Sequence, residues 1–314
     1  MFFGGSRGAC SKPCATIKPM DPITIAAAAK VASSVDKSDG LLKRVLGPPA
    51  DALGVALGRF VEARTQNVGR ILENADTKLG ARGDRPEKVP MRIAGLLMED
   101  CSYCDEPIMV EYIGGVLASS RSGVSRDDRG AKWMKLVLQL STYELRAHYI
   151  AYQATQLALR ERNARRNWTD VNDAAAFGPM CIPYKDFMSA MDFVLGEPQD
   201  EIVSETVFGL SRAGLLDQFS LFTPLTFEVV HQRQSHPTGM LTFMPTVPGI
   251  HLFLYALGMG DLPISAFDDP EVNVPGLEGV ACNPATLFVD VAPFTSEQMS
   301  ERAQRAVSDA LNHP

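Results

Sequence analysis

This sequence predicts a mainly α-helical fold: a multi-helix N-terminal array followed by a winged-helix-like module with a small β-hairpin. Three observations lead there. Apolar residues recur at helical spacing through the first two-thirds of the 314-residue chain. Two S/T-x-x-E/Q boxes, Ser141 with Glu144 and Thr295 with Gln298, mark helix starts. Between residues 200 and 260 a glycine-closed helix is followed by two alternating runs around a turn, and helix-then-hairpin is the winged-helix order.

The elements follow in order. Residues 1–19 read as a flexible basic extension, and Met20-Asp21-Pro22 as an alternative start, ahead of an alanine-rich helix over Ile23 to Val35. Pro48 and Pro49 mark a boundary, because proline is tolerated only in a helix's first turn. Beyond them Leu53, Leu57, Phe60, Val61, Val68, Ile71 and Leu72 keep a helical period, predicting a helix from Ala50 to Lys78. Its small residues Ala50, Gly54 and Gly58 permit close helix approach, within the fold or between subunits. Ile93, Leu97, Cys101 and Cys104 share the face of a second helix, and Pro107 opens a third carrying Met109, Tyr112, Ile113 and Val116. Trp133, Leu136, Val137 and Leu140 define a fourth. At the first box Ser141 and Glu144 satisfy each other's backbone donors while Leu140 and Leu145 staple the turn, so a helix should run from Thr142 towards Arg166.

Glu201 to Ala213 reads as a helix capped by Gly214. Leu225, Phe227 and Val229 then alternate with Thr226 and Glu228 as a first hairpin strand. His236-Pro237-Thr238-Gly239 supplies the turn and Met240 to Pro245 the return strand. Pro248 opens an apolar helix, Ile250 to Leu257, stopped by Gly258. The tail holds one strand-like run, Thr286 to Val291, and a last helix from Ser296 to Leu311 behind the second box. The resulting domains are 1–19, a helical domain 20–166, a winged-helix-like domain 167–260, and an acidic C-terminal segment 261–314.

Composition narrows the function classes. With 46% hydrophobic and 21% charged residues the chain is an ordinary globular protein. No apolar stretch approaches the roughly 20 residues that a membrane-spanning helix needs. The first residues lack the charged lead and apolar core of a secretory signal, and six cysteines do not make a disulfide scaffold, so a cytoplasmic protein with reduced thiols is expected. From residue 261 onward nine acidic residues face only Arg302 and Arg305, which accounts for the whole net charge of −7. The remaining body is neutral, unlike a dedicated nucleic-acid binder.

No nucleophile elbow, phosphate loop, zinc-protease helix or dinucleotide fingerprint occurs, so neither a catalytic residue nor a cofactor is expected and the chain reads as a non-enzyme. Cys101-x-x-Cys104 sits late in a helix on its apolar stripe, where thiols are structural rather than reactive. His231, His236 and His251, even with Glu228, have no recognised ligand spacing, and no metal site is expected. The concentrated basic patch is Arg160, Arg162, Arg165 and Arg166, opposed by Glu161 and followed by Trp168. At a helix C-terminus such cations offset the macrodipole as a solvated end, or they contact nucleic-acid phosphate with Trp168 stacking. Arg212 is the only basic residue of the Glu201 to Ala213 helix, against Glu201 and Glu205, which makes that helix a poor base reader.

Several short pieces resemble the abortive infection alpha (Abi-alpha) family, a domain of otherwise unknown function. They are Met20-Asp21-Pro22 with the alanine-rich helix, Leu46-Gly47-Pro48 through Ala52-Leu53-Gly54, Val89-Pro90, and Val116 to Ser120. Leu140-Ser141 with Glu144, Leu210 to Leu216, and Thr246 with Gly249 to Phe253 continue the likeness, which covers about residues 20–258. The sequence departs from the family at Met244-Pro245-Thr246 and over residues 159–200, which are longer and more basic; everything after Gly260 lies outside it. The resemblance implies antiphage defence by abortive infection and supplies no catalytic residues. The expectation is therefore a defence or interaction protein with a protein partner or self-association. Its alternatives are a DNA-binding transcriptional regulator and, in a different class, a metal-dependent enzyme.

Overall fold

The computed structural model describes residues 49–80, 82, 87–122, 124, 126–161, 165–168, 170, 179–231, 235–272 and 276–277. Outside them lie the expected N-terminal extension and alanine-rich helix, Arg162, the run Thr286 to Val291, the Thr295 box and its helix. The chain forms two compact units, residues 1–63 and 64–314, and helix α1 (Pro49–Leu79) passes from the first into the second.

In the second unit α1 is followed by α2 (Met91–Glu99), a 3₁₀ turn (Cys101–Tyr103), α3 (Pro107–Ser119), α4 (Arg129–Gln139) and α5 (Thr142–Glu161). Then come β1 (Met180–Pro183), α6 (Tyr184–Ala190), α7 (Gln199–Arg212) and β2 (Leu216–Phe222). The last described elements are α8 (Pro224–His231), β3 (Met240–Pro245), α9 (Val247–Ala256) and a 3₁₀ turn, Ile264–Ala266. The three strands make one antiparallel sheet in the order β1-β3-β2.

Local chemistry sets the helix ends. The capping box forms as expected: Ser141 N–H donates to Glu144 Oε2 at 2.6 Å, and Glu144 N–H to Ser141 Oγ at 3.2 Å. Both staple leucines, Leu140 and Leu145, are buried. At the end of α7, Gly214 adopts φ +69°, Leu215 N–H returns to the Leu210 carbonyl, and Gly214 N–H to that of Ser211. These are the paired bonds of a Schellman cap, and Leu215 and Leu216 drop into the core behind it. Thr246 caps α9 through its side chain, accepting from Gly249 N–H at 3.1 Å.

One buried cluster runs from Val68 on α1 to Leu277, so the expected divide at residues 166/167 does not separate two cores. Helix α5 is its centre. Tyr152 on α5 donates to the Leu215 carbonyl at 2.6 Å and accepts from Thr246 N–H at 2.9 Å, tying α5 to the end of α7 and the start of α9. One turn earlier His148 is wholly buried; its Nε2–H donates to the Gly249 carbonyl at 3.1 Å, leaving Nδ1 to the Tyr112 hydroxyl at 2.7 Å. Burial pushes the His148 imidazole down to about 3, so it is neutral.

Two expectations are corrected. Leu225, Phe227 and Val229 belong to a helix, not to a strand. Pro224 fills the first helical position, where a missing N–H costs nothing, and Thr223 Oγ1 accepts from Thr226 N–H at 3.3 Å. Of the three, only Phe227 is buried; Leu225 and Val229 are 66% and 67% exposed. The partner of β3 is instead β2, whose alternation breaks at an irregularity between Asp217 and Ser220, with Gln218 at φ +45°. Second, the helix expected to run from Thr142 towards Arg166 is α5, Thr142–Glu161, and Arg165 and Arg166 lie outside any helix.

Candidate recognition face

Helix α7 lies between the N-terminal turn of α5 and strand β2. Val203, Val207 and Leu210 hold it to the core, leaving Glu201, Ser204, Glu205, Phe208 and Arg212 exposed. Gly209 faces the start of α5, where an added methyl would overlap the Glu144 carboxylate, so the capping box and α7 depend on each other. Beside this contact opens a cleft of about 760 Å³ lined by Ser141, Tyr143, Glu144, Glu205, Phe208 and Arg212, among others. Its edge is braced by a loop: Tyr143 donates to Glu197 and stacks on Phe193 at 5.6 Å, while Val194 N–H donates to Glu197 Oε2 at 2.6 Å. The Glu197 carboxylate raises the Tyr143 phenol to about 12, so it remains a donor.

Phe208 is 57% exposed yet held edge-on to Phe219 of β2 at 5.0 Å. Arg212 makes no ion pair among the described residues. The face thus offers an exposed aromatic ring packed on β2, a cation with no ion pair among the described residues and two carboxylates. That mixture suits a protein surface, where aromatic residues and arginine carry binding energy, better than the uniformly negative phosphate backbone.

The basic patch has a different fate. Arg160, near the end of α5, donates through Nη2 to the Asp269 carbonyl at 3.3 Å and to that of Val272. Arg165 pairs with Asp269 at 3.3 Å. Arg166 donates its backbone N–H to Asp268 Oδ2 at 2.8 Å, and its guanidinium lies 4.7 Å over the Trp168 ring. Trp168 is only 7% exposed, donates to the same oxygen at 3.1 Å and packs edge-on to Phe267. Arg160, Arg166 and Trp168 therefore neither form a solvated helix end nor present a stacking platform; with Arg165 they clamp residues 267–272 onto α5. The structure separates these four from Arg212, the remaining described member of the expected site.

Cys101 and Cys104 are buried, but not on an α-helix: Cys101 opens the 3₁₀ turn and Cys104 is extended beyond it. Burial pushes the Cys101 thiol up to about 12, with Cys104 adding to the shift, and burial followed by Asp105 raises that of Cys104. Both stay protonated, as structural thiols do. The three histidines occupy different surroundings. His231 packs on Phe222 and Phe227, His236 meets Thr238 Oγ1 at 2.8 Å, and His251 lies edge-on to Trp133. Among the described residues, no three His, Cys, Asp or Glu side chains converge as a metal site would require, and no helix is long and apolar enough to cross a membrane.

Sequence reasoning passed over Phe208 and Glu197. Phe208 falls one residue after the buried Val207, a position that helical periodicity turns outward, and that signal was present in the sequence. Nothing local points to Glu197, whose partner Tyr143 is 54 residues away. Comparison with protein-family models, curated proteins and solved structures finds no match to this chain.

Proposed function

We propose that this is a non-enzymatic interaction protein of the cytoplasm, serving abortive-infection-like phage defence, that engages a partner protein through the exposed face of α7. The observation that carries the reading is the composition of that face: exposed Phe208 packed edge-on against Phe219, with Arg212, which has no ion pair among the described residues, and the carboxylates of Glu201 and Glu205 around it. A winged-helix reading of residues 180–245 is supported by the opening order strand, helix, helix, strand and by β3 lying between β1 and β2, although α8 stands between the two strands of the hairpin. In that reading α7 is the recognition helix, and such helices serve protein contacts as well as DNA. The defence role rests on the Abi-alpha resemblance.

The test is expression in a bacterial host challenged with phage. Wild type should lower phage plating or arrest the infected host, and Phe208→Asp or Arg212→Glu should abolish the effect while circular dichroism shows the fold retained. Unchanged plating and growth with wild type would sink the proposal. A salt-sensitive gel shift on genomic fragments, lost in Arg212→Glu, would favour the DNA-binding regulator instead.

A further inference from the structure

A second cleft, of about 750 Å³, opens between the first turn of α4, helix α9 and residues 260–264. Its apolar surface includes Trp133, Leu262 and Ile264, and its polar lining includes Arg129, Lys132, His251 and Asp261. Two of the charges are already matched. Arg129 bonds both oxygens of Asp127, at 2.8 and 2.9 Å, and Asp261 pairs with Arg82 at 3.0 Å. Lys132 is different: among the described residues its ammonium has no carboxylate partner and rests 4.9 Å over the Trp133 ring. His251 lies against the same indole, 6.2 Å between centroids, and makes no hydrogen bond among the described residues.

We infer that this cleft binds an organic monocarboxylate whose apolar or aromatic body lies against Trp133, Leu262 and Ile264, with its carboxylate taken by Lys132 and His251. The charge count selects a monoanion, since one positive charge is left unmatched. The donor set selects a carboxylate, since an ammonium and a neutral imidazole N–H supply one donor to each oxygen. Burial first, then Lys132 and Arg129, depress the His251 imidazole, keeping it neutral at physiological pH and able to donate without adding charge. An apolar body with few placed polar groups is the usual composition of a small-ligand site. This cleft shares no lining residue with the one beside α7, so it stands independently of the proposed partner surface.

The test titrates benzoate into the full chain by calorimetry and saturation-transfer NMR, with benzyl alcohol and phenylphosphonate as comparators. Saturable benzoate binding, stronger than that of either comparator, is expected. Lys132→Glu should weaken it at least about tenfold, whereas Lys135→Glu, exposed on the same helix and outside the cleft, should leave it unchanged. Thermal melts establish that both variants fold; if Lys132→Glu does not, Lys132→Gln and His251→Phe replace it with the same expected loss. No saturable benzoate binding, equal binding by Lys132 and Lys135 variants, or tighter binding of phenylphosphonate at pH 7.5 would each overturn the assignment.

Discussion

A single oxygen of Asp268, Oδ2, accepts both the Trp168 indole N–H, at 3.1 Å, and the Arg166 backbone N–H, at 2.8 Å. Both groups are buried and neither donor comes from a helix, so the carboxylate satisfies polar groups that the end of α5 leaves behind. Asp268→Ala should therefore cost about 2–3 kcal/mol, the range for hydrogen bonds to a charged group plus the donors left unsatisfied. In a Trp133→Phe background, Trp168 emission should shift to the red as water reaches the ring. Urea unfolding and fluorescence spectra check both, and an unshifted spectrum would show that Asp268 does not hold the indole in place.

That clamp also explains what could be seen in advance. Helices with strong local signals were legible: Pro107, the Ser141–Glu144 box, Gly214 and Pro248 act within a few residues of themselves. Local reading missed β1, because four residues ending in Pro183 carry too little pattern. It misassigned β2 because the irregularity at Gln218 breaks the period-two signal, while the neighbouring helix α8 imitates it. Of the candidate site, Arg212 was legible from the charge pattern of its helix. Charge marks the other described arginines, but of these it is Arg165 that pairs with a carboxylate, Asp269; Arg160 bonds backbone carbonyls and Arg166 bonds Asp268 through its backbone N–H, all about a hundred residues away. The complementary signs of residues 160–166 and 268–271 were in the sequence; their proximity was a product of the fold.

His148 makes stability depend on pH. Its folded-state value is depressed from 6.5 to about 3, so above pH 6.5 it is neutral in both states and imposes no penalty. As the pH falls below 6.5, the unfolded chain takes up a proton that the folded protein refuses, and stability falls by about 1.4 kcal/mol per pH unit until about pH 3. His148→Gln should be less stable at pH 7.5 because the Tyr112 and Gly249 contacts are lost. Its deficit should then narrow on acidification. Urea midpoints at pH 7.5, 6.0 and 5.0 test this, and a constant deficit would contradict it.

Lys78 and Glu111 form a buried pair at 2.7 Å, with side chains 10% and 8% exposed. The Lys78 ammonium also donates to the Ala256 carbonyl at 2.9 Å, and Asn74 donates to Glu111 at 2.5 Å. Burial lowers the Lys78 value while Glu111 pulls it back up. Removing one partner leaves a buried charge alone, so Glu111→Ala should cost about 3–5 kcal/mol. The double variant Lys78→Met with Glu111→Leu should recover most of that loss, because it removes both charges rather than stranding one. Chemical denaturation of the single and double variants measures the difference; additive losses would refute the pairing.

Three helical glycines give the same substitution three outcomes. At Gly95 nothing lies within 4 Å of an added methyl, so Gly95→Ala should stabilise by about 0.5–1 kcal/mol through helix propensity alone. At Gly209 the methyl meets the end of the flexible Glu144 side chain, which can swing away at the expense of the cap. A propensity gain of about 1 kcal/mol then opposes a capping loss of similar size, and Gly209→Ala should be nearly neutral. At Gly115 the methyl meets the backbone of Ala256, which cannot move without parting α3 from α9. There the clash outweighs propensity, and Gly115→Ala should destabilise by about 3 kcal/mol or more. Melting curves of the three variants should rank Gly95, Gly209, Gly115 in falling stability; a stable Gly115→Ala protein would mean that α3 and α9 do not pack at backbone contact.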